Sequence, residues 1–356
     1  MRKLKTSELL PGMILAEDIY TYNDKRILTK GIELTDNLIT RLEFYSILSV
    51  RVEDEMASSK SIDDEISYFE KLRSSRNYIE FKVHFDHSVD SLRLKLEKLA
   101  EGNVDLDVST LLDSTLSLIG TAKGSYNIFD MLHNMRQYDD STYAHSLNVA
   151  LVCHVLAKWL NMSEADVNLA TMCGLLHDVG KIKIPDEIIK KPAQLTADEF
   201  ALIKTHPLEG YRMLETQDIN EHVPKAALMH HERCDGSGYP HALTGDKIDK
   251  FAKIVAIADV YEAMTAPRIY RGPMCPFHVI EIFEDEGLQK YEPAYILTFL
   301  QNIVNTHLRT RVKLSNGETG EVVYINQNAL SRPVVKVGET FHDLAKEHDL
   351  SIEAIL

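Results

Sequence analysis

The chain is 356 residues long, 44% of them apolar and 26% charged, and it carries a formal net charge of −15. This length allows two or three domains, and the composition is ordinary for a globular protein. The excess of acidic residues argues against a surface for nucleic acid polymers, because phosphate contacts need clustered Lys and Arg. An anionic substrate would need positive charge inside its own site, and bound metal ions could supply that charge.

The sequence has no run of about 18 apolar residues and no apolar segment typical of a signal peptide near its start. We therefore expect no membrane contact and a cytoplasmic location. The four cysteines form no CxxC pair. Their spacing argues against both a disulfide framework and a thiolate zinc site.

Residues 1–55 are predicted to form a small α+β module. Its predicted elements are two strands, a helix and a short strand, over residues 13–20, 26–34, 35–46 and 47–52. A linker and helical region should follow over residues 56–125, with the polar segment 56–65 as the linker. Four apolar residues there share one helical face before Gly102, a predicted C-cap: Val89, Leu92, Leu96 and Leu99.

Residues 126–308 show one helical pattern after another, with start signals at Ser163 and Thr196 and a Pro in a first turn at Pro224. Residues 309–356 change character. A hairpin pattern surrounds Asn316-Gly317, and residues 333–337 give another short strand. The chain is therefore predicted to be mostly α-helical, with a small α+β N-terminal module and a β-rich C-terminal extension.

Seven histidine and aspartate residues lie at helix ends or on apolar helical faces, where unpaired polar groups are costly. A shared metal cluster would remove that cost for all of them together. Such nitrogen and oxygen ligands suit iron, manganese, zinc or nickel and do not select one. Two cations bridged by a carboxylate can hold and deprotonate a water molecule for phosphodiester hydrolysis. The seven residues are His145, His177, Asp178, His206, His230, His231 and Asp259.

Four blocks over about residues 145–271 resemble the HD-GYP domain of the HD phosphohydrolase superfamily. They read HDVGKIKIPDEIIKKPAQLTADEF, THPLEGYRML, HHERCDGSGYP and IVAIADVYEAMTAPRIYR. The resemblance implies a helical HD bundle with an interior metal cluster. It also implies hydrolysis of cyclic di-GMP to pGpG, GMP or both, through a hydroxide that bridges two metals.

The resemblance further implies two divalent ions per chain, with iron or manganese favoured and zinc or nickel as alternatives. His145, His177, Asp178 and Asp259 would bind one ion, and Asp178, His206, His230 and His231 the other. Asp178 and Lys181 would be catalytic, with the Lys181 ammonium directed at the scissile phosphate or the nucleophile. Five further residues would contact the substrate together with Lys181: Arg268, Arg271, Gly238, Tyr239 and Pro240.

Two positions depart from the family pattern. Some members bind a third metal through a Glu that here is Ser141, so we expect two metals. His241 replaces the glycine that usually follows the GYP proline, and it could alter access to the site.

Other functions and partners stay open at this point. The same chemistry could act on cyclic GMP-AMP, or the chain could be a non-catalytic receptor or scaffold for cyclic di-GMP. The resemblance also suggests diguanylate cyclase domains as partners of the GYP loop. The helices before the domain could support a homodimer.

Overall fold

The computed structural model of the chain describes most residues from 72 onward and parts of the first 52. The described residues are 2–6, 9, 13–20, 26–32, 34, 38, 42, 49–52, 72–102, 105–121, 128–135, 142–189, 191, 195–266 and 274–356. The chain divides into two compact units, Met1–Ile66 and Ser67–Leu356. Most of the predicted helix at 35–46 and all of the predicted linker at 56–65 lie outside the described residues.

The described residues of the first unit contain two antiparallel strand pairs. Strand β1 (Arg2–Lys5) pairs with β4 (Ser49–Val52), and β2 (Ile19–Tyr20) pairs with β3 (Arg26–Leu28). The described strands are shorter than the predicted ones. Their core consists of fully buried aliphatic side chains, among them Leu15, Leu34, Leu42, Val50 and Val52.

The second unit begins with helices α1 (Arg76–Ala100), α2 (Val108–Thr121) and α3 (Ile128–Met135). The apolar face predicted for residues 89–99 of α1 is buried, and Gly102 has a φ of 76° just after the helix, as a C-cap glycine requires. Helix α1 buries one face, and its exposed surface carries polar residues together with the apolar side chains of Ile79, Val83 and Leu94.

Helices α4 (Thr142–Trp159), α5 (Glu164–Leu176) and α10 (Lys250–Thr265) form the centre of this unit. Apolar residues lie all around α4 and α10, which is typical of fully buried helices, and α4 packs against both α5 and α10. The predicted cap at Ser163 is confirmed, since its side chain accepts from the backbone N–H of Asp166.

Seven further helices of this unit follow α5 or α10 in the described part of the chain. They are α6 (Asp186–Ile189), α7 (Ala197–Ile203), α8 (His206–Leu214), α9 (His222–Met229), α11 (Pro276–Ile282), α12 (Leu288–Lys290) and α13 (Pro293–Thr306). Two 3₁₀ turns (Val179–Lys183 and Gly245–Lys247) and one π turn (Phe283–Gly287) join some of them. The capping box predicted at Thr196 is confirmed, and Pro224 lies in the first turn of α9.

A five-stranded antiparallel sheet ends the chain. Its strands are β5 (Arg311–Leu314), β6 (Thr319–Tyr324), β7 (Val334–Val337), β8 (Thr340–Asp343) and β9 (Ile352–Ile355), in the order β8-β7-β6-β5-β9. The predicted hairpin at Asn316-Gly317 joins β5 and β6. The fold is therefore mostly α-helical with a small terminal sheet, as predicted. No helix among the described residues is long and apolar enough to cross a bilayer.

Candidate metal centre

Three predicted ligand histidines lie directly at or just beyond the C-terminal ends of helices, where the last carbonyl groups lack partners within the helix. Each imidazole donates from Nδ1 to such a carbonyl. The pairs are His177 with Gly174 at 2.7 Å, His206 with Ile203 at 2.7 Å, and His230 with Ala227 at 2.8 Å. Because a carbonyl can only accept, Nδ1 of each ring carries a proton, and in the neutral form of each ring Nε2 has a lone pair that faces the interior.

His145 is held differently, between two carboxylates of helix α10. Its Nδ1 lies 2.5 Å from Oε2 of Glu262, and its Nε2 lies 3.1 Å from Oδ1 of Asp259. Burial opposes protonation of this ring, but the charges of Glu262 and Asp259 outweigh it and raise the pKa of His145 to about 9. The same two carboxylates would favour any cation held at this position.

The carboxylate of Asp178 lies between two sets of imidazoles. Its Oδ2 is 3.3 Å from Nε2 of His177 and 3.5 Å from Nε2 of His145. Its Oδ1 is 3.2 Å from Nε2 of His206 and 3.7 Å from Nε2 of His230. Each oxygen therefore faces its own set of imidazoles, and Asp178 is shared by the two sets.

The residues fit divalent ions for a reason visible in the imidazoles themselves. The Nε2 atoms of His206 and His230 lie 3.2 Å apart, and in the neutral form of each ring both carry lone pairs, because their Nδ1 atoms donate to carbonyls. Two acceptors at this distance repel each other unless a cation lies between or beside them. Burial lowers the pKa of His230 far below its usual range and that of His231 to about 3, which keeps these two imidazoles neutral.

The ligand atoms form two groups that share Asp178. In each group they lie within 4.8 Å of one another: Asp178, His206, His230 and His231 in one, and His145, His177 and Asp178 in the other. Asp259 adjoins the second group, with its Oδ1 3.1 Å from His145 and 3.9 Å from His177. The chain thus has a His/Asp cluster suited to a metal centre.

Lys181 lies one 3₁₀ turn after Asp178. Its Nζ donates to Oδ2 of Asp178 at 2.5 Å, and about a quarter of the Lys181 side chain is exposed. Burial would raise the pKa of Asp178, but the charges of His177 and Lys181 hold it well below its usual range. The ammonium is therefore at the cluster, on a carboxylate oxygen rather than free in solvent.

The Gly238-Tyr239-Pro240 segment lies beside the cluster. The Tyr239 ring stacks on the ring of His231 with centroids 4.6 Å apart. The backbone N–H of Tyr239 donates to the His231 carbonyl at 3.2 Å. Gly238 fits because a Cβ there would lie 2.4 Å from the Cα of Glu232. The loop can therefore pack directly against the residues that follow the two histidines.

Glu232 holds this loop through two hydrogen bonds from the loop backbone. Its buried carboxylate accepts from the backbone N–H of His241 at 2.7 Å and of Leu243 at 2.9 Å. Just outside the loop, the Nζ of Lys204 lies 5.2 Å from the Tyr239 ring and 4.6 Å from the ring of Phe200, which is about half exposed. A second cation and an exposed aromatic ring thus adjoin the loop.

Some sequence predictions lie outside the described residues, namely those for Arg268, Arg271 and Ser141. Conversely, sequence reasoning missed Glu262, which contacts the predicted ligand His145, and Glu232, which holds the GYP loop. One signal was present for each. Glu262 lies one helical turn after Asp259, and Glu232 directly follows the His-His pair.

Comparison with known proteins places this cluster in a family. Residues 128–295 match the profile of the HD domain family. The cyclic di-GMP phosphodiesterase PA4108 of Pseudomonas aeruginosa is 35% identical over 208 residues, or 58% of this chain and 50% of that protein. The cyclic di-GMP phosphodiesterase response regulator RpfG of Xanthomonas campestris is 42% identical over 136 residues, or 37% and 36%. The 3'3'-cGAMP-specific phosphodiesterase 1 of Vibrio cholerae is 40% identical over 145 residues, or 41% and 34%.

The fold also matches a solved structure. Bd1817, an HDG"Y"P protein from Bdellovibrio bacteriovorus, aligns with a TM-score of 0.51 at 17% identity, over 85% of this chain and 99% of that one. The fold and the His/Asp cluster define an HD domain with a candidate metal centre. The chain contains a region, residues 128–295, that matches the HD domain family, and the curated relatives support the predicted resemblance to HD-GYP phosphodiesterases. It spans about half or less of the length of the curated relatives named above.

Proposed function

We propose that this chain is a metal-dependent phosphodiesterase that hydrolyses cyclic di-GMP to pGpG, GMP or both. The observation that carries the proposal is the position of Asp178, whose two oxygens face two separate sets of imidazoles. A bridging carboxylate of this kind is suited to two-metal hydrolysis of a phosphodiester. The names of the relatives PA4108 and RpfG support cyclic di-GMP as the substrate.

The proposed site 1 consists of His145, His177, Asp178 and Asp259, and the proposed site 2 of Asp178, His206, His230 and His231. When bound, two divalent ions would supply positive charge to a phosphodiester and activate a water molecule as nucleophile. The ligand set fits iron or manganese, which we favour, as well as zinc or nickel. We propose two ions per chain.

The chain's own residues would bind and orient the substrate around this centre. Lys181 places an ammonium group at Asp178, where it can contact a phosphate oxygen and stabilise negative charge in the transition state. This local charge matters because the chain as a whole carries −15. Gly238, Tyr239 and Pro240 would form one wall, and Arg268 and Arg271 are proposed as further substrate contacts.

Cyclic GMP-AMP is the second candidate substrate. The observation that favours it is the similarity to relatives from Vibrio cholerae that are named 3'3'-cGAMP-specific phosphodiesterases, at 40% and 31% identity. The chemistry at the phosphate would be the same, and only contacts to one base would differ. Competition between the two dinucleotides in one reaction gives the ratio of their kcat/KM values directly.

Partners and location remain predictions from the sequence. These are diguanylate cyclase domains at the GYP loop, a homodimer and a cytoplasmic setting. A receptor or scaffold without turnover remains the non-enzymatic alternative. Every proposed ligand position carries a His or an Asp, and the Lys181 ammonium lies at Asp178. Both features favour an enzyme over that alternative.

The decisive experiment is an assay of anaerobically purified protein with its metals quantified. Iron, manganese, nickel and zinc are measured first, and cyclic di-GMP is then added while products are separated by chromatography. We expect about two metals per chain and formation of pGpG or GMP. Tight binding without turnover, across these metals and both oxidation states of iron, would overturn the proposal in favour of a receptor.

A further inference from the structure

One helical turn of α10 presents a carboxylate to each nitrogen of the same imidazole. Asp259 faces Nε2 of His145 at 3.1 Å, and Glu262, three residues later, faces Nδ1 at 2.5 Å. Asn148 lies one turn after His145 on α4 and donates from Nδ2 to the other oxygen of Glu262 at 3.1 Å. Glu262 is 2% exposed, so its charge is held at this ring and only weakly screened by solvent.

This arrangement distinguishes His145 from the three histidines at helix ends. His177, His206 and His230 donate from Nδ1 to neutral carbonyls, whereas His145 donates to a full negative charge. A carboxylate on the far nitrogen fixes the tautomer and ring orientation of a ligand histidine and makes its free nitrogen more basic. The chemical difference therefore falls on one of the two proposed sites and not equally on both.

We propose that Glu262 is a positioning residue that makes site 1 hold its divalent ion more tightly than site 2. The inference rests on the two-metal centre proposed above. Site 1 has the carboxylates of Asp178 and Asp259 as ligands, with Glu262 behind His145. Site 2 has the single carboxylate of Asp178 with His206, His230 and His231. Loss of a carboxylate behind a ligand histidine typically lowers metal affinity about 10- to 100-fold.

The test uses the full chain, freed of metal and titrated with Co²⁺, and follows the visible absorption of bound Co²⁺ together with metal content. Wild type should bind two ions in two separate steps. His145→Ala should remove the tighter step, and His231→Ala should remove the weaker one. If His145→Ala still shows the tighter step, that step does not belong to site 1. The proposal is then overturned, whatever the Glu262 variants show.

Glu262→Gln keeps the size of the side chain and removes its charge. It should weaken the tighter step about 10- to 100-fold and leave the weaker step unchanged. Asn148→Ala removes a hydrogen bond to Glu262 but leaves the Glu262 carboxylate beside His145, so the tighter step should be retained. This variant can be measured even if Glu262→Gln does not fold. Glu221→Gln removes a charge from an exposed ion pair with Lys225 and should change neither step.

Unchanged Co²⁺ affinity in Glu262→Gln, or weakening of the second step alone, would overturn the assignment. The readout is independent of turnover. If wild type shows the expected asymmetry but does not hydrolyse cyclic di-GMP, the inference stands and the proposed activity fails. If turnover is normal but Glu262→Gln binds Co²⁺ as wild type does, only the inference fails.

Discussion

The Nζ of Lys181 lies 2.5 Å from Oδ2 of Asp178, the residue proposed to bridge the two ions. The pair joins the one lysine of the HDVGK segment to the carboxylate at the centre of the cluster. Asp178 is almost fully buried, while Lys181 keeps about a quarter of its side chain exposed. Lys181 can therefore reach a substrate phosphate without leaving the centre.

We expect Lys181→Ala to lower kcat about 10²- to 10³-fold, the usual cost of removing one group that stabilises transition-state charge. Metal content should stay at the wild-type level, because Lys181 competes with cations for Asp178 and does not ligate them. Steady-state kinetics and metal analysis of the same preparation check both points. Lys183→Ala is the matched control, since the Nζ of Lys183 donates to the Ala100 carbonyl at 2.9 Å. Loss of metal in Lys181→Ala would contradict this role.

The double variant His177→Ala, Asp178→Ala should lose turnover and metal together, because it removes ligands of both proposed sites. The helical domain should stay folded, since neither substitution removes an apolar side chain from its core. Metal analysis and far-UV circular dichroism measure the two outcomes. His222→Ala removes a histidine paired with Asp249 outside the cluster and should keep the metals. Unchanged metal stoichiometry in the double variant would count against the ligand assignment.

Glu232→Gln should loosen the GYP loop without removing a metal ligand. Glu232 accepts hydrogen bonds from two backbone N–H groups, and in the variant one of them would face the amide NH₂ group, which is itself a donor. We expect this to lower the free energy of unfolding by about 1–3 kcal/mol. We expect KM for the substrate to rise more than kcat falls, with metal content unchanged. Urea unfolding and kinetics measure these effects. Asp235→Asn, at an exposed residue of the same loop, is the control, and an equal effect there would contradict a specific anchor.

His154 should make the fold sensitive to acid. Its Nδ1 donates to the Thr171 hydroxyl at 3.1 Å, and its buried Nε2 has no partner among the described residues. Burial, followed by the charge of Lys158, lowers the pKa of His154 to about 4. The unfolded chain binds this proton near pH 6.5, so the free energy of unfolding should fall as the pH drops from about 6.5 to 4 and change no further below that.

In His154→Leu this part of the pH dependence should disappear. The slope of stability against pH between 4 and 6.5 should decrease by at most about 1.4 kcal/mol per pH unit, the value for one proton. Urea unfolding of metal-free protein at several pH values gives the slope. His278→Gln, at an exposed histidine, should leave it unchanged. An identical slope in wild type and His154→Leu would mean that His154 has the same pKa in the folded and unfolded states, and would contradict this prediction.

Local signals in the sequence determined much of this protein. The caps at Ser163 and Thr196 depend on residues only three positions apart, and both are found as predicted. The face of α1 at residues 89–99 depends on helical periodicity alone. The family and its ligand residue types were also readable, because the HD-GYP blocks are contiguous runs of sequence.

The tertiary structure decided what lies behind those ligands. Glu262 reaches His145 across 117 positions of sequence, because α4 and α10 pack side by side. The separation of the Asp178 oxygens between two imidazole sets likewise requires the ends of α5 and α9, and the start of α8, to meet at one point. Such contacts depend on how helices pack, which periodicity and spacing do not encode. The sequence by itself therefore determined which residues could bind metal, and packing decided that His145 faces the carboxylate of Glu262.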